Sequence, residues 1–245
     1  MSSFTHVAAH YDDLMAGVPY PMWISYLELL WSKLEIKPRD VLEVCCGTGT
    51  LCQYLTKKGH SMTGIDLSQQ MIDIAIRKAD EDDLDIRFSC QDAASFELPW
   101  TFDAAFSFFD SINYITDPEK CRAAIAQTAR HLKPGAPFVF DLNTAYAFEQ
   151  KLFDQSDHSK NRKVRYTWLS RYEPATRVCT VEMDFWTDQG AFNEVHVQRA
   201  HSPNEITDWM TAAGFEGIAF YDAYTLDRPR GKSDRIHVVG VLGAS

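Results

Sequence analysis

Apolar and polar residues recur with helical spacing in three early segments of the chain, and a short apolar run follows each of them. The predicted helices are 23–34, 50–58 and 68–79, and the predicted strands are 41–44, 61–65 and 86–90. Gly59 closes the second helix, and Ser68 is a good N-cap for the third. Strands that alternate with helices predict a parallel sheet with helices on both faces.

The alternation continues to about residue 141 and then changes character. A strand at 104–108, a helix opened by Asp117 and Pro118, and a strand at 137–140 complete the first half. Between residues 164 and 200, three long segments alternate with period two and are joined by the turn sequences EPAT and TDQGA. We therefore expect an antiparallel sheet inserted into the α/β core.

The last part of the chain returns to the core pattern. Ser202 and Glu205 have the spacing of a capping box for a helix that ends at Gly214, and two more strands are predicted at 218–224 and 236–242. The core then has seven strands. The predicted units are a closing segment and helix (1–36), the core (37–143), the inserted sheet (144–201), and the C-terminal helix and strands (202–245).

Composition narrows the class of protein. The chain has 245 residues, enough for one α/β domain with an elaboration, and its net charge of −10 disfavours a nucleic-acid partner. The sequence has neither the features of a secretory signal nor an apolar run long enough to cross a membrane, so we expect a cytoplasmic protein without a membrane partner. Its six cysteines lack the spacing of metal ligands, and no metal is expected.

The candidate chemistry lies where the first strands end. Glu43 precedes a tight turn with Gly47 and Gly49, and Asp66 ends the next strand. Glycines let a ligand approach the backbone closely, and an acid after the second strand can accept hydrogen bonds from ribose hydroxyls. These residues suit a nucleoside-containing ligand, either NAD or S-adenosylmethionine.

Two details favour S-adenosylmethionine. The dinucleotide fingerprint has a third glycine three residues after the second, and this chain has Cys52 there. The acid Glu43 can attract the ammonium group of the methionine arm, whereas beside a pyrophosphate it has no favourable electrostatic role.

Five stretches occur in the order of the motifs of class I S-adenosylmethionine-dependent methyltransferases, which the chain resembles. They span residues 40 to 143: VLEVCCGTG, GIDLS followed by Met71, QDAASF, FDAAFSFFDSINYI and LKPGAPFVFDLN. The resemblance implies a Rossmann-like α/β fold whose seven-stranded sheet has an antiparallel last strand. It implies S-adenosylmethionine as the cofactor, with contacts made by Glu43, Gly47, Gly49, Asp66, Leu67, Met71, Asp92, Ala93 and Phe109.

The ends of the chain are similar to small bacterial methyltransferases that include nucleotide-sugar N-methyltransferases. The stretches are YDDLMAGVPYPMWISYL, QRAHSPNEITDWMTAAGF and SDRIHVVGV. In that group an N-terminal segment closes over the cofactor, and an inserted antiparallel sheet covers the active site. The resemblance therefore implies that Tyr11 and Tyr20 close over the cofactor.

The expected reaction is direct displacement of the methyl group by a small-molecule acceptor. Asp110, Tyr114 and Tyr11 are the candidate catalytic residues: the first two are expected where the methyl group emerges, and Tyr11 offers an aromatic face to the sulfonium. The candidate substrate contacts are Asn113, Arg199, His201 and Arg235. Arg199, His201 and Arg235 could instead bind carboxylates of this acidic chain, and Asn113 could be a turn residue.

Two other functions are compatible with these residues. One is an NAD(P)-dependent oxidoreductase, which Cys52 disfavours, and the other is a non-catalytic protein that binds S-adenosylmethionine or acts as a scaffold. An RNA methyltransferase is disfavoured because the chain has no basic run. The protein is expected to be a monomer or a homodimer.

Overall fold

The structure, a computed structural model, describes residues 7–159 and 162–244. In chain order its strands are β1 (Asp40–Val44), β2 (Ser61–Asp66), β3 (Ile86–Cys90), β4 (Ala104–Ser107), β5 (Pro137–Asn143), β6 (Gln155–Asp157), β7 (Arg165–Glu173), β8 (Val178–Thr187), β9 (Gly190–Arg199), β10 (Phe215–Asp222) and β11 (Arg235–Leu242). Its α-helices are α1 (Tyr11–Leu14), α2 (Tyr20–Lys33), α3 (Thr50–Lys57), α4 (Gln69–Glu81), α5 (Pro118–Arg130), α6 (Ala145–Glu149) and α7 (Pro203–Ala212).

Within the described ranges, seven strands form the central sheet in the order β10-β11-β5-β4-β1-β2-β3. Neighbouring strands are parallel except around β11, which runs antiparallel to both β5 and β10. The carboxyl ends of β1, β2 and β4 therefore meet at one edge of the sheet, with β1 between β2 and β4. The predicted α/β fold with an antiparallel last strand is confirmed.

Two apolar layers cover the sheet because successive side chains of a strand point to opposite faces. Leu42 packs into the layer that contains α5 and α7, while its neighbour Val41 packs into the layer that contains α2 and α3. The same division separates Phe138 and Phe140 from Val139 on β5. Continuous apolar runs such as these are typical of strands that are buried on both faces.

Several predicted boundaries differ from the structure by up to three residues. The strand predicted at 137–140 continues to Asn143, because β11 pairs with all seven residues of β5 and buries the polar Asp141. The first long helix begins at Tyr20 rather than at residue 23, with a proline in its first turn, where the missing N–H is not needed.

The inserted sheet has the order β6-β7-β8-β9 and is antiparallel throughout. The three long predicted strands are present, and the short strand β6 adds a fourth that the sequence pattern did not indicate. One face of this sheet contributes Val181, Met183 and Phe185 to an apolar cluster that also contains Val7. The sheet thus packs over the N-terminal segment and encloses space above the core.

The N-terminal segment consists of α1 between two short 3-10 helices, Val7–His10 and Met15–Gly17. Asp12 attaches it to the core, because its carboxylate accepts from the Thr48 hydroxyl at 2.7 Å and pairs with Lys78 Nζ at 2.7 Å. The segment is therefore held against the turn that follows β1. Among the described helices, none is long and apolar enough to span a membrane.

Candidate active site

The turn after β1 requires glycine for two separate reasons. Gly47 and Gly49 both have positive φ, at 53° and 71°, a region that other residues rarely adopt. A Cβ atom at Gly49 would also lie 2.6 Å from Phe88 Cζ. The local backbone therefore tolerates no side chain at Gly49.

The Asp66 side chain connects this turn to the end of β2 through hydrogen bonds. Its carboxylate accepts from the Gly47 N–H at 2.9 Å and from the Ser68 N–H at 2.8 Å. Burial raises the pKa of Asp66 above its usual value, although these two backbone hydrogen bonds oppose the shift. The carboxylate is thus oriented by the backbone and stays available to a ligand on its open side.

Glu43 lies deeper, on β1, where only 3% of its surface is exposed. The Cys52 thiol donates to Glu43 Oε2 at 2.9 Å. Burial raises the pKa of Glu43 to about 8, and the hydrogen bond from Cys52 offsets only part of that effect. Cys52, the residue that replaces the third glycine, therefore serves here as a hydrogen-bond donor to the acid.

A cavity of about 530 Å³ lies between the carboxyl edge of the core sheet and the inserted sheet. Twelve of the predicted site residues line it: Tyr11, Tyr20, Glu43, Gly47, Asp66, Leu67, Met71, Asp92, Ala93, Phe109, Asp110 and Tyr114. Gly49, also predicted as a cofactor contact, does not line the cavity but shapes the adjoining turn through its positive φ.

The loop after β4 has an unusual backbone at the cavity wall. Phe109 and Asp110 are consecutive non-glycine residues with positive φ, at 66° and 49°. Such conformations are unfavourable and concentrate at functional sites, where packing enforces them. Here the Phe109 ring stacks on Trp23 with centroids 4.1 Å apart and an angle of 8°.

Comparisons with known proteins agree with this geometry. A family model described as "Methyltransferase domain" matches residues 41–135. A solved S-adenosylmethionine-dependent methyltransferase from Clostridium acetobutylicum ATCC 824 is 27% identical with a TM-score of 0.85, covering 99% of this chain and 100% of that one. The chain is a class I S-adenosylmethionine-dependent methyltransferase.

Two curated relatives add detail. A methyltransferase relative from Geobacillus sp. (strain WCH70), whose name states no acceptor, is 28% identical over 97% of this methyltransferase and 98% of its own chain. A dTDP-3-amino-3,4,6-trideoxy-alpha-D-glucopyranose N,N-dimethyltransferase from Streptomyces venezuelae is 34% identical over 102 residues, which cover 42% of this chain and 41% of that protein.

The charges of the cavity fit the cofactor of the methyltransferase. Its described lining has four carboxylic acids, Glu43, Asp66, Asp92 and Asp110, and neither Lys nor Arg. An acidic wall attracts a ligand that carries a sulfonium and an ammonium group, and it repels a pyrophosphate. The alternative of an NAD(P)-dependent oxidoreductase is therefore not supported.

Arg235 does not line the cavity of the methyltransferase, so the predicted substrate contact is not supported. Its guanidinium pairs with Asp110 Oδ1 at 2.8 Å and also with the fully buried Asp141. Gln198 Nε2 donates to the other oxygen of Asp110 at 2.8 Å. Because Arg235 and Gln198 already donate to its two carboxylate oxygens, Asp110 is poorly suited to take a proton in its predicted catalytic role.

Arg199 and His201 also lie outside the cavity, contrary to the predicted substrate contact. Arg199 shares the face of Val195 and Val197 on β9, His201 follows just after the strand, and neither lines the cavity. Arg199 Nη2 pairs with Glu205 Oε1 at 2.8 Å. Burial and the charge of Arg199 lower the pKa of His201 to about 4, so the ring is neutral and structural.

Asn113 is fully buried and links three elements rather than contacting a ligand. Its side-chain amide donates to the backbone carbonyls of Asn143 and Arg199, and its oxygen accepts from the Asn143 N–H. The predicted substrate contact is not supported, since these bonds occupy the amide within the protein.

Sequence reasoning missed the residues that the inserted sheet contributes to the methyltransferase cavity. They occupy the opposite face of β9 and its neighbours: Trp168, Val181, Met183, Phe185, His196 and Gln198. The available signal was the polar series Glu194, His196 and Gln198 at every second position of β9. Polar residues at that spacing usually indicate a solvated face, yet here they point inward.

Proposed function

We propose that this methyltransferase transfers a methyl group to a small-molecule acceptor by direct displacement. The observation that carries the proposal is the cavity of about 530 Å³ enclosed by the core edge, the N-terminal segment and the inserted sheet. Its volume is typical of small-ligand sites. A net charge of −10 gives further support to a small molecule over nucleic acid.

In this proposal the core wall holds the cofactor. Glu43 binds its amino group, Asp66 binds its ribose hydroxyls, and the turn of Gly47 and Gly49 approaches its methionine arm. Leu67, Met71, Asp92 and Ala93 surround the adenine. When bound, S-adenosylmethionine supplies a methyl group on a positively charged sulfur. Tyr11, Tyr20 and Phe109 offer aromatic faces to that charge, each worth about 0.5 to 2 kcal/mol.

Catalysis then depends mainly on alignment and on the exclusion of water. Alignment of two reactants in one cavity lowers a barrier by roughly 7 to 11 kcal/mol at best. The N-terminal segment contributes to both effects, because Asp12 fastens it to Thr48 and Lys78 directly beside the glycine turn. Tyr11, the residue before this anchor, is thereby placed in the cavity wall.

A cytoplasmic location and a monomeric or homodimeric state belong to the same proposal. All six cysteines are free thiols, which suits a reducing compartment. The alternative of a non-catalytic binding protein is less well supported, because the cavity extends beyond the cofactor wall to the inserted sheet and leaves room for a second ligand.

Titration calorimetry with S-adenosylhomocysteine, with NAD as the control, tests the proposal. We expect S-adenosylhomocysteine to bind and NAD to give no heat of binding. Incubation with S-adenosylmethionine and a panel of small acceptors should then yield products heavier by one methyl group, seen by mass spectrometry. Tight binding of NAD alone, or cofactor binding without transfer to any small molecule, would contradict it.

A further inference from the structure

A chain of three polar side chains leads from the cavity into the inserted sheet. Tyr114 Oη lies 3.1 Å from His196 Nδ1, and His196 Nε2 lies 2.8 Å from Glu194 Oε2. The Val7 N–H donates to the other carboxylate oxygen of Glu194 at 2.9 Å. Glu194 and His196 are buried, at 9% and 2% exposure. This chain is the Tyr114–His196–Glu194 relay.

The hydrogen bonds define which group can accept a proton. An ionised Glu194 only accepts, so the proton of His196 lies on Nε2, and Nδ1 presents its lone pair to the Tyr114 hydroxyl. A histidine whose ring is oriented by a carboxylate is the usual form of a general base. Tyr114 and His196 line the cavity, whereas Glu194 acts through His196.

The surroundings of the relay indicate the chemistry of its ligand. Val181, Met183 and Phe185 of β8, together with Trp168 and Phe153, line this end of the cavity. No lysine or arginine joins them within the described part of the chain. A diphosphate or carboxylate group would lose its hydration here without gaining a cation. The dTDP-sugar named for the Streptomyces relative is therefore a poor match for this wall.

The relay also favours one kind of accepting atom. A neutral amine attacks through its lone pair and can lose its proton afterwards, whereas a hydroxyl is a weak nucleophile until its proton is removed. An oriented base beside the accepting atom therefore contributes most when that atom is a hydroxyl oxygen.

We propose that the acceptor is an uncharged, largely apolar molecule with a weakly acidic hydroxyl, such as a phenol, and that Tyr114 and His196 remove its proton. This inference rests on the proposed methyl transfer. The acceptor oxygen forms a bond to the methyl carbon, and the methyl–sulfur bond breaks with its electron pair left on sulfur. The hydroxyl proton passes to Tyr114 Oη as the Tyr114 proton moves to His196 Nδ1. Glu194 is a positioning residue that stabilises the resulting imidazolium.

The first experiment compares two acceptors of similar size, 2-naphthol and a nitronaphthol that is already ionised at the assay pH. Single-turnover rates at saturating acceptor are measured for the wild type, His196→Gln, Glu194→Gln and Tyr114→Phe, so that weaker binding of the anion does not enter the comparison. His158→Gln is the matched control, because His158 is an exposed histidine of the same inserted region that contacts Thr167 and Trp186 and does not line the cavity. With 2-naphthol we expect His196→Gln to be slower by about a hundredfold or more.

With the ionised nitronaphthol, the same variant should be slower by less than about tenfold, because no proton has to be removed. A merely structural role would slow both reactions equally. Equal losses, or no loss with 2-naphthol, would overturn the relay. Transfer by the wild type to 2-naphthylamine but to neither naphthol would overturn the hydroxyl acceptor while leaving the proposed methyl transfer intact.

The second experiment measures binding by calorimetry with protein saturated by S-adenosylhomocysteine, so that no turnover is needed. We expect 2-naphthol to bind the wild type and His196→Gln within about threefold of each other, and 2-naphthoate to bind at least about tenfold more weakly. Equal or tighter binding of 2-naphthoate, or no binding of 2-naphthol, would overturn the acceptor class. Failure of S-adenosylhomocysteine itself to bind would instead contradict the proposed function.

Discussion

Arg235 Nη2 lies 2.8 Å from Asp110 Oδ1, across 125 residues of sequence, and so fixes the loop that forms one wall of the cavity. The same guanidinium pairs with Asp141, which is fully buried. It also lies over the Trp23 ring, 5.5 Å from the centroid. One cation thus compensates two carboxylates and joins β5 to the loop after β4.

Removal of this cation should destabilise the protein strongly. In Arg235→Met, Asp110 and Asp141 would lose their common partner, and a buried ion pair broken on one side costs about 3 to 5 kcal/mol. Urea unfolding measures the change. Arg230→Met is the control, because Arg230 is exposed and its ion pair at 4.0 Å should contribute little. Equal stability of the two variants would show that the double ion pair is dispensable.

Asp66→Ala should weaken the binding of S-adenosylhomocysteine by about 1 to 3 kcal/mol, through the loss of charge-assisted hydrogen bonds. Calorimetry gives the affinity, and thermal unfolding reveals whether loss of the Gly47 and Ser68 contacts also affects the fold. Asp73→Ala, on the exposed side of α4, is the matched control. Unchanged affinity in Asp66→Ala would remove the proposed ribose contact.

Glu43 should release a proton when the cofactor binds. Its pKa of about 8 keeps it largely protonated at neutral pH, and an ammonium group nearby favours the ionised form. Affinity for S-adenosylhomocysteine should therefore rise between about pH 6 and pH 8, because Glu43 is already ionised in a growing fraction of the free protein. Calorimetry at pH 7 in two buffers of different ionisation enthalpy counts the protons.

The matched variant is Glu43→Gln, which cannot ionise. It should show no proton release from this position and a flatter dependence on pH. Glu81→Gln, at the exposed end of α4, should behave like the wild type. Proton release that persists in Glu43→Gln would assign it to another group.

Asp12→Ala should loosen the N-terminal segment. The variant loses the contacts to Thr48 and Lys78, and because the pair is partly exposed, we expect a loss of about 1 kcal/mol or less in S-adenosylhomocysteine affinity. Stopped-flow measurements should show faster dissociation. Asp82→Ala removes an ion pair of similar length to Lys57 outside this segment and should leave dissociation unchanged. Identical dissociation rates in both variants would argue against a closing role.

Arg199→Ala should act on stability rather than on acceptor use. Arg199 and Ser202 both donate hydrogen bonds to Glu205. These bonds outweigh the effect of burial and lower the pKa of Glu205 to about 2, and the variant would lose the bond from Arg199. We expect a loss of about 1.5 to 3 kcal/mol in the free energy of unfolding, with unchanged affinity for S-adenosylhomocysteine. Urea unfolding and calorimetry provide the two readouts. A stable variant with an altered choice of acceptor would restore the substrate contact predicted from the sequence.

The core could be predicted well because its signals are local. Apolar runs between capped helices indicate parallel strands wherever they occur, and Ser68, Asp117 and Ser202 all cap the helices that they were predicted to cap. The turn with Gly47 and Gly49 was equally recognisable, since its positive φ angles restrict the residue type at those positions. These features depend on a few neighbouring residues.

The inserted sheet shows where such reasoning fails. The period of two along β9 puts Arg199 on one face with Val195 and Val197, and His196 on the other. A period of two does not reveal which face another element will cover. The exposed valines and the buried His196 reverse the usual arrangement because the cavity, not solvent, lies beneath the polar face.

The sequence by itself determined the order of the core strands and helices, the glycine turn and the acids at the ends of β1 and β2, because each follows from local periodicity, backbone conformation or spacing. Only the tertiary structure decided that Arg235 binds Asp110, that Arg199 binds Glu205, and that Tyr114, His196 and Glu194 form a line. These contacts join residues from different strands and loops, and their partners depend on how the two sheets pack, which no local pattern encodes.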